Sequence, residues 1–249
     1  MRALITGASS GIGRDMAKYL SSLGYELILV SRDAEKLKEV QNQLKTSSEV
    51  IPMDLSISQN CINLYEQVKN KDIDLLINNA GFGLFGEFSE IDLEKEIHLI
   101  NTNITALHIL TKLFLKDMIK KDKGHILNVS SVASFAPGPL MSSYYASKSY
   151  VTRLSRGIAK ELEKKKSKVK ISILCPGPVN TNFNKTAGVK FSIKPMSSEY
   201  VAKYAIQKTL KGKLIIIPGF KIKCLHVLSK LSPEKIVAEF TYHNQTKKM

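Results

Sequence analysis

The sequence predicts an α/β fold: a doubly wound parallel sheet of about seven strands with helices on both faces, followed by an extra helical tail. Three observations predict it. Short apolar runs rich in Val, Ile and Leu recur along the chain, amphipathic segments separate them, and a glycine-rich turn follows the first run. With 249 residues, 43% of them apolar, the chain can bury the core of one such domain, so residues 1–249 are read as a single domain.

The strand runs are, in order, RALIT, ELILV, EVIPM, IDLLIN, GHILNV, KISIL and KLIII. Their continuous apolarity marks strands covered on both faces. Ligands of such sheets bind beyond the carboxyl ends of the strands, so the residues after each run are the candidates for function.

After RALIT comes GASSGIGRDMAKYL, with Gly7, Gly11 and Gly13 at a strand-to-helix turn. Glycine lets the backbone come close to a pyrophosphate, whose charge then faces the amides of a helix N-terminus. The spacing GxxxGxG at this place implies a dinucleotide site. ELILV ends at Ser31 and Arg32, where an NAD site usually places a carboxylate for the ribose. Arg32 offers a planar fork of donors for a 2′-phosphate, which favours NADP(H). Asp33 could accept from the ribose, but RDAEKL reads more simply with Asp33 at the start of a helix.

Lys and Arg number 37 against 22 Asp and Glu, a formal charge of +15. The lysines are dispersed or sit in KDMIKKDKGH and KELEKKKSKVK at expected helix ends, where they oppose the helix dipole. Without aromatic interleaving they read as a solvated basic surface, and no nucleic acid is expected. Cys61, Cys175 and Cys224 are scattered, and the five histidines show no ligand spacing, so neither disulfide nor metal is expected. No run is long and apolar enough to span a membrane, the first residues already read as a core strand, and a cytoplasmic protein is expected.

In YYASK, Lys148 could lie beneath either Tyr144 or Tyr145 on a helix, and spacing alone does not choose between them. A phenol that trades protons near neutral pH needs such a cation close by. Toward the carboxyl end, Ile222, Leu225, Leu228 and Leu231 can share a helical face flanked by Lys221, Lys223 and Lys230. Ser232 and Pro233 read as the cap and first turn of another helix, so residues 220–249 are expected to form a helical extension. Its roles compete: packing on its own domain or a sister subunit is the default, with a substrate cover or an anionic membrane contact as alternatives.

Taken together, TGASSGIG at 6–13, NNAG at 78–81, YYASK and CPGPVNT at 175–181 resemble, in order and separation, the short-chain dehydrogenase/reductase family. The resemblance covers most of the chain and implies a Rossmann-type fold and an oxidoreductase that moves a hydride between NADP(H) and a ketone or secondary alcohol. Its YxxxK selects Tyr144 as general acid/base, with Lys148 lowering the phenol's pKa and binding the nicotinamide ribose. Ser131 would donate to the substrate oxygen, Ser130 being a decoy, and Asn103 would hold a proton-relaying water.

The same resemblance assigns cofactor contacts to Gly7, Ser9, Ser10, Gly11, Ile12 and Gly13, to Ser31 and Arg32, and to Asp54 and Leu55 beside the adenine. Asn79, Ala80 and Gly81 would border the ribose, with Tyr144 and Lys148 nearby. Pro176, Gly177, Val179 and Thr181 would line the nicotinamide side. Residues 182–198 resemble the family's substrate loop, and a homodimer or homotetramer is implied, formed through the helices carrying Asn103 and Tyr144. A small-molecule carbonyl or alcohol is the expected partner, with a 3-oxoacyl reductase-like enzyme among the candidates. The alternative is a catalytically silent nucleotide sensor or scaffold on the same fold, against which the intact Tyr144 and Lys148 count.

Overall fold

In the computed structural model the described residues are 1–181, 183, 195–220, 222–224, 227 and 232–246. Strand β1 (Arg2–Thr6) leads through the glycine turn to α1 (Gly11–Ser22), β2 (Glu26–Ser31), α2 (Ala34–Gln41), β3 (Ser48–Pro52), α3 (Ser58–Val68) and β4 (Leu75–Asn78). Helix α4 (Leu93–Ile100) runs through a π-helical turn, Asn101–Ala106, into α5 (Leu107–Lys121). Then follow β5 (His125–Val129), α6 (Ser142–Lys164), β6 (Lys170–Leu174), α7 (Ser198–Leu210), β7 (Ile215–Ile216) and α8 (Glu234–Thr246).

The seven strands form one sheet in the order β3-β2-β1-β4-β5-β6-β7, with every neighbouring pair parallel. The order reverses between β1 and β4, and the crevice at such a switch point is where ligands of these sheets bind. Alternate strand residues serve opposite faces. Ala3 and Ile5 pack with Met16, Leu20 and Leu37 and with Val201 and Ile206, so α1, α2 and α7 cover that face. Leu4 and Ile28 pack with Leu64, Phe114 and Leu162, which puts α3, α5 and α6 on the other. Burying each such side chain contributes about 1.5–3 kcal/mol.

Most strand runs appear where expected, but KLIII contributes only Ile215 and Ile216. As the last strand of the sheet it pairs on one side alone, with Ile173 and Leu174. The basic runs do end helices: Lys120 and Lys121 lie in the last turn of α5, and Lys164 in that of α6. Pro233 precedes α8 as expected, and its carbonyl accepts from the Ile236 amide at 3.0 Å. Ile222 is buried and packs with Cys175 and Ile217. Leu225, Leu228 and Leu231, and most of the segment 182–198, lie outside the described residues.

Candidate active site

Gly7 and Gly11 hold φ of +65° and +53°, left-handed conformations that cost other residues about 1–2 kcal/mol. Gly13 is required by contact: a β-carbon there would collide with the Gly7 carbonyl oxygen and come within 2.5 Å of Asn79 Nδ2. Asn79 straps the turn down, Nδ2 donating to the carbonyls of Thr6 at 3.0 Å and Gly7 at 3.1 Å. The backbone amides of Asn79 and Ala80 both donate to Thr6 Oγ1 at 3.0 Å. Ser10 is the N-cap of α1, yet its side chain makes no capping hydrogen bond. The first amides of α1 are therefore left for an anion, and with the glycines they fit a pyrophosphate.

Arg32 lies beyond β2 with its side chain 64% exposed, its Nη1 3.1 Å from His98 Nε2 and 3.9 Å from Asp54 Oδ2. Burial pushes the Asp54 carboxyl up, but hydrogen bonds from the Ser56 amide and hydroxyl, with the charge of Arg32, outweigh it and hold the group below its usual range. Asp33 proves to be the N-cap of α2, accepting from the Lys36 amide at 3.0 Å and pairing with the Lys36 ammonium. Its carboxylate is thus engaged locally, as the simpler reading had it.

Beyond β5, Ser131 caps a short 3-10 turn, Val132–Phe135, its Oγ accepting from the Ala133 amide at 3.1 Å. Its hydroxyl also favours the ionised form of Tyr144, which comes from the first turn of α6. Ser130 points the other way: its Oγ donates to the Lys148 carbonyl at 2.9 Å and meets Thr152 Oγ1 at 2.8 Å. Lys148 Nζ donates to the Val129 carbonyl at 3.0 Å and stands 5.8 Å from the centre of the Tyr144 ring.

One expectation fails here. Burial pushes the Tyr144 phenol up to about 12, with Ser131 pulling down, so its net shift is upward and not the lowering expected. Burial also pushes Lys148 down to about 8. Desolvation dominates both shifts, with Lys148 buried and Tyr144 half-buried at the wall of the cleft.

Asn103 is in the π-helical turn, 1% exposed. Its Oδ1 accepts from the Phe82 amide at 3.0 Å, and its Nδ2 donates to the Phe82 carbonyl at 2.9 Å and to Ser147 Oγ at 3.1 Å. Gly81 sits between Asn103 and Lys148: a β-carbon there would lie 2.9 Å from Asn103 Oδ1 and 3.3 Å from Lys148 Nζ.

A single cleft of about 1380 Å³ runs from Arg32 and Asp54, past the glycine turn, to Ser131, Tyr144 and Lys148. Ser9, Ser10, Ile12, Ser31, Leu55, Ala80, Pro176, Gly177, Val179 and Thr181 also line it. Of the predicted residues only Gly13 and Asn103 stay off its wall, one held behind the turn and the other behind Gly81 and Phe82.

Sequence reasoning missed His98, whose ring lies 5.3 Å from that of Phe82 beside Arg32, and the α8 face built on Ile236, Phe240 and Gln245. His98 precedes Asn103 on the same helical run, but no local pattern ties it to the end of β2. The α8 face was open to detection, since its residues recur at helical spacing. The sequence reading instead rests the tail's apolar face on Ile222, Leu225, Leu228 and Leu231. Gln245 Nε2 donates to the Tyr145 hydroxyl at 3.0 Å and holds α8 at the cleft wall.

The family model described as short chain dehydrogenase matches residues 1–190. An uncharacterised oxidoreductase of Staphylococcus epidermidis is 34% identical over 72% of this chain and 78% of its own. The very-long-chain 3-oxoacyl-CoA reductase of Rattus norvegicus is 34% identical over 66% of this chain, which spans 55% of that enzyme's length. Among solved structures, a short-chain dehydrogenase from Sphingobium yanoikuyae in complex with NADPH superposes with a TM-score of 0.82 at 28% identity, covering 92% of this chain and 93% of that one. A Burkholderia phymatum enzyme solved with NAD has a TM-score of 0.83 over 91% and 92% of the two chains, and at 24% identity it carries the fold alone. With the parallel seven-stranded sheet and the ordered motifs on its carboxyl edge, these matches establish that the chain belongs to the short-chain dehydrogenase/reductase family of oxidoreductases.

Proposed function

We propose that the chain is an NADP(H)-dependent carbonyl reductase, a 3-oxoacyl reductase-like enzyme, that interconverts a ketone and a secondary alcohol. The observation that carries the reading is the single cleft in which the glycine turn and Arg32 open onto Ser131, Tyr144 and Lys148. A bound nicotinamide would supply or accept the hydride at the carbonyl carbon.

The protein's own groups do the rest. The amides at the start of α1 would hold the pyrophosphate, and the Arg32 guanidinium would take a 2′-phosphate. Ser131 Oγ donates to the substrate oxygen, fixing the carbonyl against the phenol. Tyr144, held as a neutral phenol by burial, delivers its proton to that oxygen in reduction and recovers one in oxidation. The Lys148 ammonium compensates the charge left on the phenolate, and Asn103 keeps Gly81 and Phe82 in register beside it. A high phenol pKa keeps the proton in place until charge develops on the substrate, which suits reduction.

Two measurements test the proposal. In fluorescence titrations NADPH should bind more tightly than NADH, and Arg32→Ala should weaken NADPH by roughly tenfold while sparing NADH. Tighter binding of NADH by the wild type would overturn the cofactor assignment. Across a panel of ketones, Tyr144→Phe should lower kcat by about 10²–10⁴-fold with cofactor affinity retained. Turnover equal to wild type would remove Tyr144 as the proton donor.

A further inference from the structure

We infer that α8 and Tyr145 make the substrate end of the cleft a groove for an amphiphilic ketone, with a polar group beside the reacting carbonyl and an alkyl chain of medium length. The inference rests on the carbonyl-reductase reading and names the substrate class of that site. Residues 236, 237, 240, 241, 244 and 245 all line the cleft, and their three- and four-residue spacing places them on one face of α8.

That face is graded along its length. Ile236, Val237 and Phe240 make its first two turns apolar, while Thr241, Asn244 and Gln245 make the last polar. The polar end is fixed at the chemistry, because Gln245 donates to the Tyr145 hydroxyl at 3.0 Å and the Tyr145 ring stands 6.1 Å from that of Tyr144. Tyr145 is itself fixed, its ring packed on Gly138 so closely that no β-carbon fits there. The Phe183 ring also stands 5.2 Å from that of Tyr144 and adds aromatic surface at the carbonyl end.

The apolar end is open. Ile236 remains 60% exposed and Phe240 63% although both line the cleft, and apolar surface left uncovered at a cavity wall marks where an apolar ligand lies. From residue 236 to residue 240 the apolar stretch rises about 6 Å, which matches roughly five carbons of an alkyl chain. A carbonyl held at Tyr144 therefore sets its polar neighbour against Asn244 and Gln245 and its tail along Val237, Phe240 and Ile236.

The test compares methyl 3-oxobutanoate with methyl 3-oxododecanoate, in the wild type and in the double variant Ile236→Ser, Phe240→Ser. Both side chains are mostly exposed, so the fold tolerates the change, and circular dichroism verifies it. The wild type should favour the longer ester in kcat/KM by roughly tenfold or more, and the variant should lose most of that preference through KM. Equal kcat/KM for the two esters in the wild type, or a preference unchanged in the variant, overturns the inference.

Displacement of bound anilinonaphthalene sulfonate gives a readout apart from turnover. If neither ester is reduced but the longer one displaces the dye from the wild type and not from the variant, the groove stands and the reductase reading falls. If the esters are reduced but dye displacement and kcat/KM are both indifferent to chain length, the groove falls and the reductase reading stands.

Discussion

The two ends of the cleft are built by different means. At the cofactor end the surface is mostly backbone: glycines at positive φ, uncapped helix amides, and an asparagine strap that bonds carbonyls of the turn. At the substrate end it is side chains, brought from places as distant as Tyr145 and Gln245, one hundred residues apart. A backbone site tolerates little substitution, because each contact depends on the absence of a side chain. A side-chain wall can be rebuilt without disturbing the sheet, which leaves this end free to set substrate class while the other keeps one chemistry.

Where the two ends meet, the largest effect is expected. Lys148→Met should lower kcat/KM for reduction by about 10²–10⁴-fold, since it removes the cation beside Tyr144. In the wild type, reduction should fall off above pH about 8, where the buried ammonium loses its proton. Because Lys148 and Tyr144 interact, that limb belongs to the pair. A wild-type profile flat through this range would break the link between burial and catalysis.

The same depressed pKa has a consequence for stability. Lys148 moves from an ordinary 10.5 to about 8 in the fold, so across that window the unfolded chain binds the extra proton and stability rises with pH. The pH dependence of Tm should show this climb in the wild type and lack it in Lys148→Met.

The cofactor end breaks next. Gly13→Ala drives a methyl group into the Gly7 carbonyl, and should cost about 1–3 kcal/mol in urea unfolding as well as most NADPH affinity. An alanine variant with wild-type affinity would show that the turn is less constrained than its contacts imply.

The substrate end should respond least. Gln245→Leu removes the bond to Tyr145 and should cost about 0.5–1.5 kcal/mol locally. Amide exchange across residues 234–246 should quicken while the global unfolding midpoint and NADPH affinity stay put. Unchanged exchange in that segment would mean that packing, not the Tyr145 bond, holds α8.

How much could be read in advance follows the same division. The glycine turn and the strand runs are legible because each depends on residues close in sequence. Lys148 was misread in one respect. Spacing predicts that an ammonium lies near a phenol, but it is silent on how far both are buried, and burial sets the sign of the Tyr144 shift. His98 beside Arg32 was missed because 66 residues separate the partners, and only the packing of α4 against the carboxyl edge joins them.

The sequence by itself determined the layered fold and the glycine turn, which follow from periodicity and short-range backbone geometry, while the choice of Tyr144 beside Lys148 came from the resemblance of YYASK to YxxxK. The tertiary structure decided the protonation balance of that pair, the partner of Arg32 and the placing of α8 over the substrate end. Those depend on desolvation and on contacts between distant segments, which exist only once the sheet has brought them together.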